Sequence, residues 1–422
     1  AYTLIKRLTS PTDVNVLLLD VVLLTFPYYF TPQEFFNLLL ARFYSNEEYA
    51  MLQSIRMRVI NTLKLWLSQP YFSDWGENDP LRNNFQQFCD VNLVIAGYRT
   101  LACHMLETLR RSMDEYHEAL RVHDADPFLR LKPLQMSVSQ IPKPMISSKH
   151  LSRLNNSNFK LRRLNPIEVA RQLTLIEMDL FRLIQEREFI SKSWSKPNKL
   201  QIAPNITRFI TRFNRTGLWV ASQTLQPTNA ESRAKAMVFF IMLSNELLRL
   251  NNFNGLMAVL AGLRTPPVVR LKRSWNLLPP HVWDTWEYLD RLVDPANGYA
   301  ALRAQQQQAP VPKLPHLGIL LHDLVIIEET MPGEVPSRNG NLLINLTKYK
   351  RIFDAITGLL NNRHNPFPLQ RVPALSDYLM DIRCLEESEL YELSRRHEPR
   401  SFSMSPDRER AAESVRSCTS SS

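Results

Sequence analysis

Gly318-Ile319-Leu320-Leu321-His322-Asp323-Leu324-Val325-Ile326-Ile327-Glu328-Glu329 is followed closely by Met331-Pro332-Gly333-Glu334-Val335-Pro336-Ser337-Arg338-Asn339-Gly340. The first stretch is apolar, free of internal breakers and closed by two carboxylates, which predicts a helix. The second is dense in proline and glycine, which predicts a loop. Beyond it, Leu342, Leu343, Leu346, Ile352, Phe353 and Ile356 are placed to pack as a second helix on the first, giving an antiparallel helical hairpin. By pattern alone, an ordinary core hairpin with an acidic end is the preferred reading.

Outward from this segment, the composition favours helices throughout. The 422 residues allow two or three domains at roughly 150 residues each. Hydrophobic residues make up 44% and charged residues 22%, so most of the chain is expected to fold. Only 10 glycines leave little material for phosphate-cradling loops or tight turns between strand and helix. Nucleophile elbows, Walker loops, H-E-x-x-H helices and dinucleotide fingerprints are all absent, which argues against the familiar covalent chemistries. Cys89, Cys103, Cys384 and Cys418 stand far apart without zinc-finger spacing and read as reduced thiols. The apolar run from Val14 to Phe26 is too short for a bilayer span and is interrupted by Asp20. The expected fold class is all-α, with two helical domains, the larger bearing the protruding hairpin.

Four spans organise the chain. Residues 1–120 carry apolar positions at helical spacing, with Thr31 and Pro32 as N-cap and first helical residue of one helix. Residues 121–165 hold nine Lys or Arg against two Asp, a local charge of +7 out of a net +10, and four prolines, which reads as a basic linker. Residues 166–400 open on Asn165-Pro166-Ile167-Glu168, a cap and first turn. They continue through Thr228-Asn229-Ala230-Glu231, a second helix start, into the buried run Met237 to Leu243. Residues 401–422 are rich in Ser and Arg and are expected to be disordered. The chain begins inside its first module without a methionine, as an excised fragment would.

Several motifs resemble the catalytic domain of Ras-family guanine-nucleotide exchange factors. They are Glu168-Val169-Ala170-Arg171-Gln172-Leu173-Thr174, then Asn251-Asn252-Phe253-Asn254-Gly255, then Leu390-Tyr391-Glu392-Leu393-Ser394 with Glu398-Pro399-Arg400. Thr31-Pro32-Gln33-Glu34-Phe35 and Arg58-Val59-Ile60-Asn61-Thr62-Leu63-Lys64-Leu65-Trp66 resemble the Ras exchanger motif module that precedes that domain in the family. The resemblance implies a hairpin that wedges into a small GTPase, displaces its magnesium ion and releases GDP so that GTP can load. It matches Val325 to the apolar side chain that occludes the metal position and Glu329 to the carboxylate that approaches the phosphate site, one helical turn apart on one face. Glu328 points elsewhere on this reading. Met257, Arg264, Tyr299, His316 and Leu317 match further GTPase contacts beside the hairpin. Two of them depart from the family's pattern, which has a small polar residue at Arg264 and a large apolar or aromatic one at His316. Asn251, Asn252, Phe253 and Asn254 read as a capped helix junction. Trp66, Trp75, Phe85 and Phe88 read as core of the first module, whose implied role is to brace the hairpin.

The implied partner is a Ras-family small GTPase, bound most tightly in its nucleotide-free form, and no cofactor is implied. The alternative is an exchange-inactive scaffold of the same fold that binds a small GTPase, motivated by the substitutions at Arg264 and His316. Lys160, Arg162 and Arg163 near Phe159 raise nucleic-acid binding as a third class, but charge concentrated in a proline-bearing connector reads as a solvated linker, so no nucleic acid is expected. The same connector suits an acidic membrane surface. The expected location is cytoplasmic, with recruitment to a membrane where the GTPase is anchored.

Overall fold

A computed structural model of the chain describes residues 2–13, 15–68, 70–76, 78–125, 141–154 and 163–399. Lys160, Arg162, Arg400 and the tail 401–422 lie outside these residues, as does most of the basic linker. The fold is all-α: among the described residues the one sheet is a two-stranded ribbon, β1 (Glu334–Pro336) antiparallel to β2 (Leu342–Ile344). Two compact units divide the chain, and their membership does not follow chain order. One draws on the spans Ala1–Ser139, Glu177–Ile210 and Leu314–Phe367, the other on Gln140–Ile176, Thr211–Lys313 and Pro368–Ser422.

The first unit is built on an aromatic core. Phe26 stacks on Phe35 at 4.5 Å between ring centroids, and Trp66 meets Phe26 edge-on at 5.2 Å and Trp75 at 4.6 Å. Trp66, Trp75, Phe85 and Phe88 are all buried, as expected. Each such side chain removed from water contributes roughly 1.5–3 kcal/mol. The helix Pro32–Phe43 starts where Thr31 predicts: the Thr31 hydroxyl accepts from the Glu34 amide at 3.2 Å, and the Glu34 carboxylate accepts from the Thr31 amide at 2.8 Å. The apolar run forms the helix Val16–Thr25, capped by Asn15, and no described helix is long and apolar enough to cross a membrane.

In the same unit lie two helices, Leu317–Thr330 and Leu346–Leu360, which pack on one another. Leu342 and Leu343, expected at the start of the second, instead belong to β2 and are 65% and 45% exposed. The reason is local. Gly340 takes φ +76° in the turn, and the chain then runs extended until Asn345 caps the helix that starts at Leu346. Asn345 also closes the base of the ribbon, its amide donating to Gly333 O at 2.9 Å and its side chain to Pro332 O at 2.9 Å.

The second unit centres on the helix Ala230–Arg249, which packs against the helices Phe253–Leu263, Lys272–Trp275 and Pro280–Leu292. Its cap is Asn229, the second residue of the helix start expected at Thr228-Asn229-Ala230-Glu231, accepting from the Ser232 amide at 2.8 Å. The expected run is almost wholly inside: of Met237 to Leu243, only Val238 and Met242 keep partial exposure. Gly262 faces the helix Pro204–Leu225, where a Cβ would fall 2.4 Å from the Gly217 carbonyl oxygen, so these two helices approach backbone to backbone.

The motifs behind the resemblance stitch this second unit together. Glu168 is buried and accepts from the Met145 amide at 2.9 Å and from Gln172 at 2.7 Å. Gln172 accepts in turn from the Val372 amide and the Ser376 hydroxyl. Asn252 caps the helix Phe253–Leu263 through the Gly255 amide at 2.7 Å and donates to Thr174 at 3.0 Å, so the helix-junction reading of this motif holds. Ser394 donates to Pro267 O at 2.6 Å, while Arg270 donates to the Ser394 and Glu398 carbonyls at 2.7 Å each.

Candidate functional site

The helix Leu317–Thr330 presents two faces. Leu317, Ile319, Leu320 and Leu324 are buried, and among the rest His322, Val325, Ile326 and Glu329 follow one another at helical spacing. Along this outer stripe Val325 is half-buried, whereas His322, Ile326 and Glu329 are exposed. An apolar group and a carboxylate thus share one accessible surface, one turn apart.

The adjacent Glu328 is held differently. The Tyr28 hydroxyl donates to Glu328 Oε1 and accepts from the Ser191 amide at 3.0 Å. Burial first, then the hydrogen bond to Glu328, pushes the Tyr28 phenol far above its usual range, so it stays a protonated donor. Glu329 has a lighter partner: Lys192 Nζ lies 3.4 Å from Glu329 Oε1, with both side chains partly exposed, and such a pair is worth at most about 1 kcal/mol. The two neighbouring carboxylates therefore differ in surroundings: Glu328 is half-buried and tied to Tyr28, while Glu329 is exposed beside Lys192.

Three further contacts fix the helix pair. Lys348, buried at the start of the second helix, donates to Met331 O at 2.7 Å and Glu328 O at 3.2 Å, satisfying carbonyls at the end of the first helix. Tyr349 packs its ring on Tyr28 and Tyr29 at 5.4 and 4.9 Å. Ile344 and Leu346 pack against the aromatic core of residues 1–109. Nearby, Arg187 pairs with Asp74 at 2.5 Å and lies 4.9 Å over the Phe26 ring, and Asp74 also accepts from the Trp66 indole at 2.7 Å. The N-terminal helices and the helix pair thus share one packed unit.

The remaining expected contact residues are placed as follows. His316 immediately precedes the helix, and burial pushes its imidazole down to about 4; a Cβ at Gly318 would fall 2.6 Å from that ring. Leu317 is 2% exposed. In the second unit, Met257 is half-buried on the helix Phe253–Leu263. Arg264, just after that helix, grips Asp290: its Nε donates to Asp290 Oδ1 at 2.6 Å and its Nη2 to Asp290 O at 2.8 Å. Tyr299 is half-buried in a segment where Asn297, Gly298 and Tyr299 all have positive φ. Sequence reading missed Tyr28, Lys192 and Lys348. Only the aromatic run Phe26-Pro27-Tyr28-Tyr29-Phe30 carries any signal for the first, and nothing local marks the other two.

Comparison with known proteins agrees with this architecture. Residues 168–350 match the RasGEF domain and residues 2–88 the RasGEF N-terminal motif. Among curated relatives from Dictyostelium discoideum, Ras guanine nucleotide exchange factor A is 30% identical over 94% of this chain and 64% of its own length. Factor J is 29% identical over 94% of this chain and 47% of its own length, and factor P 34% identical over 56% and 16%. The chain belongs to the Ras guanine nucleotide exchange factor family, with a RasGEF domain preceded by its N-terminal motif. It spans less than two thirds of the length of these relatives.

Proposed function

We propose that this chain is a guanine-nucleotide exchange factor that opens the nucleotide site of a Ras-family small GTPase with the helical hairpin 317–360, releasing GDP so that GTP can load. The observation that carries the reading is the outer stripe of the helix Leu317–Thr330, with Val325 and Glu329 on one accessible face of an element braced from behind. A carboxylate brought into a phosphate cradle repels the phosphate bound there, and an apolar group beside it displaces water and metal ligands. No covalent bond is made or broken in such a step. Residues 1–120 act as the bracing module and 166–400 as the exchange domain. Met257, Arg264, Tyr299 and His316 serve as further partner contacts, and Leu317, being buried, acts through packing. The GTPase is anchored at a membrane, and the basic connector meets the acidic lipid there.

Linkage dictates the test. A protein that weakens nucleotide binding by some factor is itself bound more weakly, by the same factor, when nucleotide is present. The immobilised chain is expected to retain a nucleotide-free Ras-family GTPase and to release it when GTP and magnesium are added. Retention that nucleotide does not weaken identifies a scaffold and overturns the exchange reading.

A further inference from the structure

The Tyr28 hydroxyl joins segments far apart in sequence. It donates to Glu328 at the end of the helix Leu317–Thr330 and accepts from Ser191, while its ring rests on Tyr349 of the second helix. The segment it holds is conformationally costly. Ser191 and Lys192 both sit at φ +52°, a region that residues with a Cβ rarely occupy unless the surroundings impose it. Lys192, the next residue, is the counter-ion of Glu329.

We propose that Tyr28 is a positioning residue for Glu329: by tying Glu328 and the Ser191 amide to one hydroxyl, it fixes both the last turn of the hairpin's first helix and the loop whose Lys192 holds Glu329 in a displaceable pair. This rests on the role given to Glu329 above. Glu328, half-buried, requires a donor once removed from water, and the Tyr28 phenol, whose pKa burial raises, remains that donor across the working pH range. The tether faces inward, so the neighbouring carboxylate is directed outward. Its counter-ion, half-buried and 3.4 Å away, can be given up when a partner's site takes the carboxylate.

Tyr28→Phe keeps the ring and its packing and removes only the hydroxyl. Two measurements then separate the tether from the exchange reading. Amide hydrogen exchange, which needs no GTPase, is expected to quicken roughly tenfold in Glu186–Ser195 and in the last turn of Leu317–Thr330, the worth of one hydrogen bond to a charged group. The helix Tyr49–Trp66 should stay protected as in wild type. Glu328→Leu should quicken the amides of the last turn of Leu317–Thr330, and there the double variant should be no worse than Tyr28→Phe alone, as for two groups sharing one interaction. With a GTPase that wild type accelerates, Tyr28→Phe should slow GDP release at saturating exchange factor by a similar factor. It should leave the concentration giving half-maximal rate within about twofold, a split that general loss of fold would not produce. Unchanged amide exchange, or additive effects of the two substitutions, overturns the tether. Absence of acceleration by wild type overturns the exchange reading alone.

Discussion

Individual residues here are held by networks whose partners lie far away in the chain. Asp74 is the clearest case: it takes both the Trp66 indole and the Arg187 guanidinium and is 11% exposed. Removing one partner of a buried pair leaves the other charge uncompensated, so Asp74→Ala should lower stability by about 3–5 kcal/mol, read from the denaturant midpoint. His316 gives a pH signature. Its folded pKa lies near 4, below the usual 6.5, so the unfolded chain binds a proton that the folded chain refuses between those values. The stability from keeping this imidazole neutral is complete above about pH 6.5 and is lost as pH falls toward 4. Unfolding midpoints between pH 7 and pH 4 should therefore fall more steeply for wild type than for His316→Gln; parallel slopes would remove His316 from the account. None of this is legible in sequence. Tyr28 and Glu328 are 300 residues apart, and nothing around either signals the other.

At the scale of elements, sequence reading succeeds where the determinants are local. Thr31 and Glu34 form their capping box as the residue order dictates, and Thr31→Ala should cost about 1 kcal/mol, seen as a lowered thermal midpoint with the fold retained. It slips where two local signals compete. Thr228 and Asn229 both suit an N-cap, and the chain uses Asn229; Leu342 and Leu343 suit a helix face, but Gly340 and the cap at Asn345 impose a ribbon first. Close approaches of backbone escape sequence reading altogether. Gly262 shows no local reason for its identity, yet its missing Cβ is what admits the Gly217 carbonyl. Gly262→Ala should destabilise by about 1–3 kcal/mol despite better helix propensity, because backbone must move to make room; a neutral result in chemical denaturation would contradict the packing described.

For the whole molecule, the order of the motifs carries the family. The motifs that carry it, however, are chiefly structural. Glu168, Gln172, Asn252 and Ser394 spend their hydrogen bonds inside their own unit, so they report the scaffold, whereas the residues proposed to act are an ordinary valine and glutamate on an amphipathic helix. That is why a fold can be read from such motifs more readily than a site. The N-terminal helices share a core with the helix pair, so a chain lacking residues 1–120 would expose Ile344, Leu346 and Tyr349 and leave Glu328 without its Tyr28 donor. The central claim is that the outer stripe of the helix Leu317–Thr330 expels nucleotide. Its most direct test is release of fluorescent GDP from a panel of Ras, Rap and Ral-type GTPases in magnesium, with wild type beside the Val325→Asp, Glu329→Ala double variant. The account predicts acceleration for at least one GTPase, lost in the variant while its thermal midpoint stays within a few degrees of wild type. Acceleration that survives in the variant, or none by wild type across the panel, would contradict it.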